Sequence, residues 1–403
     1  MLYKIAWRNI WRNKKRSLII IIAVTIGLST GIFLMAFYNG LVEQRVNSAI
    51  ETEVSHLQLH QPGFTSDYDI KLYLQQGYTM LQKIQSYPQV KAAAGRFIIQ
   101  GMIASASGNS GVMINGVMPI EENKLTKLAG KIKQGNYFNT NKRNEVLVGE
   151  KLRQKLKLKT GNKVVLTFQD ADGNIASAAY RIAGIYQTVN TPYDETNVFV
   201  RISDVDSVAG LKNRLNEIAV LLSSHQLLQH TKAELQSLFP AAEIKDWMEI
   251  SPEVGLTVSV SEQLVFILMI IILMALAFGI VNTMMMAVLE RTREICMLLA
   301  LGMNRIKVFG MILLETIFLV LAGCPGGLLI SLLAISITHH TGIRFEKFAE
   351  VYSSFGYSNV LYPKITMQQF MISMLLIIVT AIVSSLFPAW KAFRLKPIVS
   401  MRK

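Results

Sequence analysis

A chain of 403 residues with 51% hydrophobic content and a mean hydropathy of +0.35 carries more apolar surface than a soluble protein of ordinary composition can hide. The net charge of +14 invites a nucleic-acid reading, yet residues 40–263 hold 23 Lys+Arg against 22 Asp+Glu, while the short segments flanking the apolar runs hold 15 cations against only Glu290 and Glu294. That asymmetry is the positive-inside signature of a multi-pass membrane protein, so the basicity reports topology and calls for no nucleic acid.

Taken in order, residues 1–16 alternate Trp7 and Trp11 with Arg8, Arg12 and a Lys14–Arg16 cluster. Aromatic and basic residues four apart predict an amphipathic helix at the headgroup level. The apolar run that follows is too long for a signal peptide and has no small-x-small cleavage site, so it reads as an uncleaved first span over 17–39. Three further runs, 264–289, 309–338 and 367–390, are each long enough to cross a bilayer, which takes about 20 residues. The charge bias puts both termini and residues 290–308 in the cytoplasm, and the 40–263 domain and the 339–366 loop outside. The tail is 391–403.

Helical periodicity continues past the first span through Leu41, Val42, Val46, Ala49 and Ile50. Ser251-Pro252-Glu253 is a helix start, and no proline intervenes from there to Leu289. Such a helix is about 55 Å long, well beyond a hydrocarbon core of about 30 Å. Both helices bordering the outer domain are therefore expected to project as stalks. Within the domain, alternation predicts strands at 54–61, 90–106 and 111–117, with Gly108-Asn109-Ser110 as a hairpin turn, and helices at 71–86 and 121–128. Short β runs follow at 146–148, 163–168, 176–186 and 196–201, then a strand at 217–223, a helix at 227–238 and a strand at 243–248. The expected architecture is an α+β part (41–135 and 205–262) with a mostly β insert (136–204). The fold class is thus an α-helical membrane protein with four transmembrane helices and a large α+β extracytoplasmic domain between the first and second.

Residues 290–302 read as a charged helix pinned between two spans, with Ile295, Leu298, Leu299 and Met303 at helical spacing, the alternative being a solvated loop that turns the chain. Such a helix should lie along the membrane and offer a surface there. The third span carries Gly323-Cys324-Pro325-Gly326-Gly327, expected to kink or loosen it, and one acid, Glu315, expected to pair with a neighbouring helix. Cys296 and Cys324 are the only cysteines; neither can staple the outer domain, and they do not make a metal site. His56 and His60 read as surface residues on a strand, about 13 Å apart and unable to share an ion. No phosphate-binding loop, nucleophile elbow or H-E-x-x-H occurs. The sequence therefore contains no catalytic residues, metal or cofactor site, and any energy must come from another polypeptide.

Together these features resemble the permease subunits of the MacB/FtsX/LolCDE class of ABC transporters. Glu290-Arg291-Thr292-Arg293-Glu294-Ile295 with Ala300-Leu301-Gly302 is similar to that class's E-R-x-R-E-I…A-x-G coupling helix. Pro388-Ala389-Trp390-Lys391-Ala392 with Leu395-Lys396-Pro397-Ile398 resembles its terminus, and residues 6–13 resemble its amphipathic start. The resemblance implies a Porter/Sabre-like outer domain and a cytoplasmic ABC ATPase that holds the ATP and Mg. It implies coupling through Glu290, Arg291, Arg293, Glu294, Ile295 and Gly302, and a second permease subunit, identical or different. Motion would pass along the stalks to the outer domain, with no substrate moving through a central channel.

Within the class, residues 51–63 and 114–137 look most like LolC/LolE chains, and 184–204 lies where LolC places a chaperone-recruiting hook. The leading expectation is therefore a bacterial inner-membrane permease that extracts lipoproteins for outer-membrane delivery. A pocket between the first two spans (Met35, Phe37, Val265, Met269) would hold acyl chains, and a periplasmic chaperone or adaptor would receive them, in contact with membrane lipid. The alternatives are a MacB-like exporter of peptides or macrolides and an FtsX-like transmembrane signalling scaffold.

Overall fold

The computed structural model describes Tyr3, Trp7, Arg8, Arg12 and residues 14–394, apart from 140–141 and 211–213. Most of the expected amphipathic start and residues 395–403 of the tail, with Leu395-Lys396-Pro397-Ile398, lie outside the described residues. The chain divides into two compact units: Met1–Val42, Ser259–Arg344 and Val360–Lys403 form one, and Glu43–Val258 with Phe345–Asn359 the other.

Among the described residues, four helices are long and apolar enough to cross a membrane. They are α1 (Lys14–Ala49), α2 (Pro252–Glu290), α4 (Arg305–Thr341) and α5 (Met367–Phe393), with a short α3 (Thr292–Ala300) between the second and third. At about 1.5 Å per residue, α1 is about 54 Å long and α2 about 58 Å. Neither is interrupted, and α1 closes in a π-turn at Ile50–Val54. In the first unit α1 buries Ile20, Val24, Leu28 and Ile32, every fourth residue of one stripe. That stripe shares a core with Leu276, Ile280 and Met284 of α2, Leu319 and Val320 of α4, and Ile377 and Ala381 of α5.

α4 continues through the Gly-Cys-Pro-Gly-Gly stretch, with Pro325 inside the helix. Its glycines serve close packing. A Cβ on Gly327 would stand 2.8 Å from Leu28 Cβ, and one on Gly323 would stand 3.0 Å from the Ile21 carbonyl oxygen. Thr25 donates its hydroxyl to the Gly323 carbonyl at 3.0 Å, which holds the two helices in register.

The second unit is built on one ten-stranded sheet. Its strands are β1 (Leu57–His60), β2 (Val90–Ser105), β3 (Gly108–Val117), β4 (Ile132–Gly135), β5 (Glu145–Gly149), β6 (Lys163–Gln169), β7 (Ile175–Tyr186), β8 (Asn197–Arg201), β9 (Glu217–Leu222) and β10 (Glu243–Asp246). Their order is β10-β1-β9-β2-β3-β8-β5-β7-β4, with β6 pairing β2 and β7. The long hairpin β2–β3 ties two cores together. Residues such as Leu59, Ala94, Ile218 and Trp247 make one, and Ile103, Ile114, Val148, Leu166 and Val200 make the other.

Several local expectations are corrected. The hairpin turn falls at Ala106-Ser107 and not at residues 108–110: Ser105 pairs with Gly108, and the Ser105 hydroxyl accepts from Ser107 N–H to close the turn. The helix expected over 71–86 starts only at Gly77, because Leu74 makes a β-bridge with Leu215 and Gln76 sits at φ +57. Helices at Glu150–Lys155, Thr191–Thr196 and Ile202–Ala209 were not expected. His56 and His60 are buried and not on the surface. His60 has both ring nitrogens engaged, Nδ1 3.2 Å from the Asn216 carbonyl oxygen and Nε2 3.0 Å from Gln58 Oε1.

The segment between α4 and α5 carries its own structure: a two-residue ladder of β11 (Ile343–Arg344) with β12 (Val360–Leu361), and a short helix Ala349–Ser354. Residues 345–359 belong to the second unit, where Glu350 lies 3.9 Å from Lys151.

Candidate coupling site

α2 stops at Glu290 and α3 begins at Thr292, leaving Arg291 (φ −99°, ψ 15°) as a one-residue break. The Thr292 hydroxyl donates back to the Leu289 carbonyl at 2.8 Å, satisfying one of the orphan acceptors at the helix end. α3 ends in a Schellman motif, with Met303 N–H donating to Leu298 C=O and Gly302 N–H to Leu299 C=O. The motif needs a left-handed residue after the cap, and Gly302 supplies it at φ +91. Asn304 then caps α4 by accepting from Ile306 N–H at 3.0 Å. The helix expected across 290–308 is therefore a nine-residue helix and a tight turn, because Gly302 and Asn304 stop one helix and start the next.

The motif residues separate by face. Ile295 and Cys296 are buried, and Leu299 and Met303 pack against the same core. Glu290, Arg293, Glu294, Met297 and Leu301 are exposed. A strip of charge beside exposed Met and Leu is a surface suited to another protein. Arg12 donates to the Glu294 carboxylate, both side chains half exposed. Arg291 turns inward, its Nη1 3.2 and 3.3 Å from the two carboxylate oxygens of Glu315 on α4. Glu315 is thus paired with a neighbouring helix end. Beneath α3 these two ion pairs and Met284, Val288, Leu298 and Met311 line a cavity of about 400 Å³.

The four residues expected to hold acyl chains are distributed over different contacts. Met269 is buried where α2 meets Gly31 of α1, its Sδ 3.5 Å from where a Cβ on that glycine would stand. Met35 faces α5, where its Sδ accepts from the Ser373 hydroxyl at 3.3 Å. Phe37 packs edge-on to Tyr38, and Val265 is half-buried. A separate recess of about 470 Å³ lies along Ser259, Gln263, Phe266 and Ile267 of α2. Sequence reasoning missed it, although those positions follow i, i+4, i+7, i+8 and share one helix face.

Residues 17–238 match the MacB-like periplasmic core domain, and residues 266–397 the FtsX-like permease C-terminal domain. The chain is similar to the lipoprotein-releasing system transmembrane protein LolC of Neisseria meningitidis, 22% identical over 76% of this chain and 75% of LolC. Similarity to the LolE protein of the same system in Haemophilus influenzae, at 20% identity, extends over 98% of this chain and 97% of LolE. The macrolide export ATP-binding/permease protein MacB of Syntrophobacter fumaroxidans is 25% identical over 52% of this chain, covering 26% of MacB.

Proposed function

Because the chain belongs to the MacB/FtsX/LolCDE class of ABC transporter permeases, we propose that it is the permease half of a lipoprotein-releasing machine of the bacterial inner membrane. ATP and Mg bind a separate cytoplasmic ATPase, which docks through Glu290 at the end of α2 and through Arg293 and Glu294 on the exposed face of α3. Both chain termini are on the ATPase side. The large domain is periplasmic, and a second permease subunit completes the assembly.

The observation that carries this reading is the division of α3. Ile295 and Cys296 are buried while Arg293, Glu294, Met297 and Leu301 face outward, on a turn fixed at both ends between two membrane helices. No phosphate-binding loop lies within the 403 residues, which supports ATP hydrolysis on another chain. The lipoprotein cargo rests on the likeness to LolC and LolE. Its acyl chains would lie against α1 and α2 at Met35, Phe37, Val265 and Met269.

Depletion of the protein should leave outer-membrane lipoproteins in the inner-membrane fraction, and unchanged sorting would exclude the cargo. In a pull-down, Glu294→Arg should lose most of the ATPase while membrane insertion persists. Recovery equal to wild type would exclude the docking face. The match of residues 17–238 to the MacB-like core favours a second reading, export of peptides or macrolides. Drug or peptide sensitivity on deletion, with normal lipoprotein sorting, would select it.

A further inference from the structure

The break at Arg291 sits between a 39-residue rod and a nine-residue helix. Left to itself, a single non-helical residue between two helices is a hinge, and a push on α3 would be lost in bending there. Arg291 is 8% exposed and Glu315 4%, and the guanidinium holds both carboxylate oxygens from the break itself. Val288, Ile295 and Ile312 line the same cavity as the pair and, with Val308, are buried in one core. Replacing a buried ion pair with well-packed apolar residues is often neutral for stability, so folding alone gives little reason for this pair. What an ion pair adds is direction, since it fixes one register between the groups that carry it.

We propose that Arg291–Glu315 is a positioning device that locks the α2–α3 break onto α4, so that load entering through α3 passes into the third membrane helix as well as the second. Arg291 and Glu315 are buried against each other and act by seating α3. The consequence for transport rests on α3 being the ATPase-docking helix, but the seating itself does not.

Cys296 provides the readout, because it is fully buried on the inward face of α3. In the purified full-length chain with Cys324→Ser, it is the only thiol. Maleimide labelling of Cys296 should be slow in that background and rise about tenfold or more in Glu315→Gln, as local opening of α3 becomes easier. The double variant Arg291→Met/Glu315→Leu should keep the parent melting temperature yet label as fast as Glu315→Gln. The exchange Arg291→Glu/Glu315→Arg should restore protection. In complexes with the ATPase, the apolar double variant should retain ATP turnover while cargo release drops about tenfold.

Slow labelling in both Glu315→Gln and the apolar double variant would overturn the proposal. So would fast labelling with cargo release still coupled to ATP turnover, since the pair would then be structural only. Labelling is measured without a partner, so failure to recover an ATPase bears on the functional reading and leaves the seating decided by the thiol.

Discussion

Arg96 on β2 offers a sharp test of how the second unit is held together. Its Nε and Nη2 donate to the two carboxylate oxygens of Glu122, both at 2.8 Å, and its Nη1 donates to Glu217 at 2.8 Å. All three side chains are buried, so two carboxylates share one guanidinium as their cation, although the Thr126 hydroxyl also donates to Glu122 at 3.1 Å. Arg96→Met removes it and strands both. Breaking a buried pair this way costs about 3–5 kcal/mol, a large share of the roughly 5–15 kcal/mol that holds a domain folded.

A buried carboxylate left without its cation is costly because it is charged, and protonation relieves that cost. The deficit should therefore be full at pH 7.5 and shrink towards pH 5. The assay is urea unfolding followed by Trp247, buried in the neighbouring core, with the other three tryptophans changed to Phe. This probe reads the second unit alone, which matters in a chain of two units. The variant Arg96→Met/Glu122→Leu/Glu217→Met should recover most of the loss. A deficit under about 1 kcal/mol at pH 7.5, or one that widens towards pH 5, would refute the reasoning.

Burial lowers the His56 pKa to about 4, with His225 and Lys91 adding to the effect. A base with a depressed folded pKa loses stability as pH falls from about 6.5 to 4, here by up to about 3 kcal/mol, and His56→Gln should flatten that limb in acid titrations followed by Trp247. Gly327→Ala should lower the melting temperature of the membrane unit, because its Cβ meets Leu28 at 2.8 Å and overpacking typically costs about 1–3 kcal/mol. Gly310→Ala, with nothing within 4 Å on the same helix, should leave it unchanged or raise it. Gly356 combines φ +74 with a Cβ position 2.8 Å from the Arg45 guanidinium carbon, so Gly356→Ala should speed proteolysis between Phe345 and Asn359 several-fold.

What could be read from residues alone followed from short-range rules. Four unbroken apolar runs, the cap at Ser251-Pro252 and the alternation through β2, β6 and β7 each depend on neighbours within a turn or two. What escaped depends on partners far along the chain. Leu74 leaves its helical pattern because Leu215, 141 residues later, offers a bridge. His60 looks like a surface histidine until Asn216 and Gln58 close around it. Gly323 to Gly327 suggest a weak helix on propensity, but their lack of side chains admits α1 at backbone distance, and that packing outweighs the propensity term.

The same distinction runs through the Glu290–Gly302 motif. Its spacing is recognisable because it obeys two demands with one helical period. Arg291 and Ile295, four apart, turn into the protein, with Gly302 ending the helix. Glu290, Arg293 and Glu294 fall on the other faces and stay in solvent. A substitution on the inward set should therefore change where α3 sits, and one on the outward set what it holds. Periodicity could show that a face existed, but not that Arg291 belonged inside, because an arginine between two glutamates reads as surface until Glu315 of another helix neutralises it. Buried charge is legible only as a pair, and the two halves of this one are 24 residues apart.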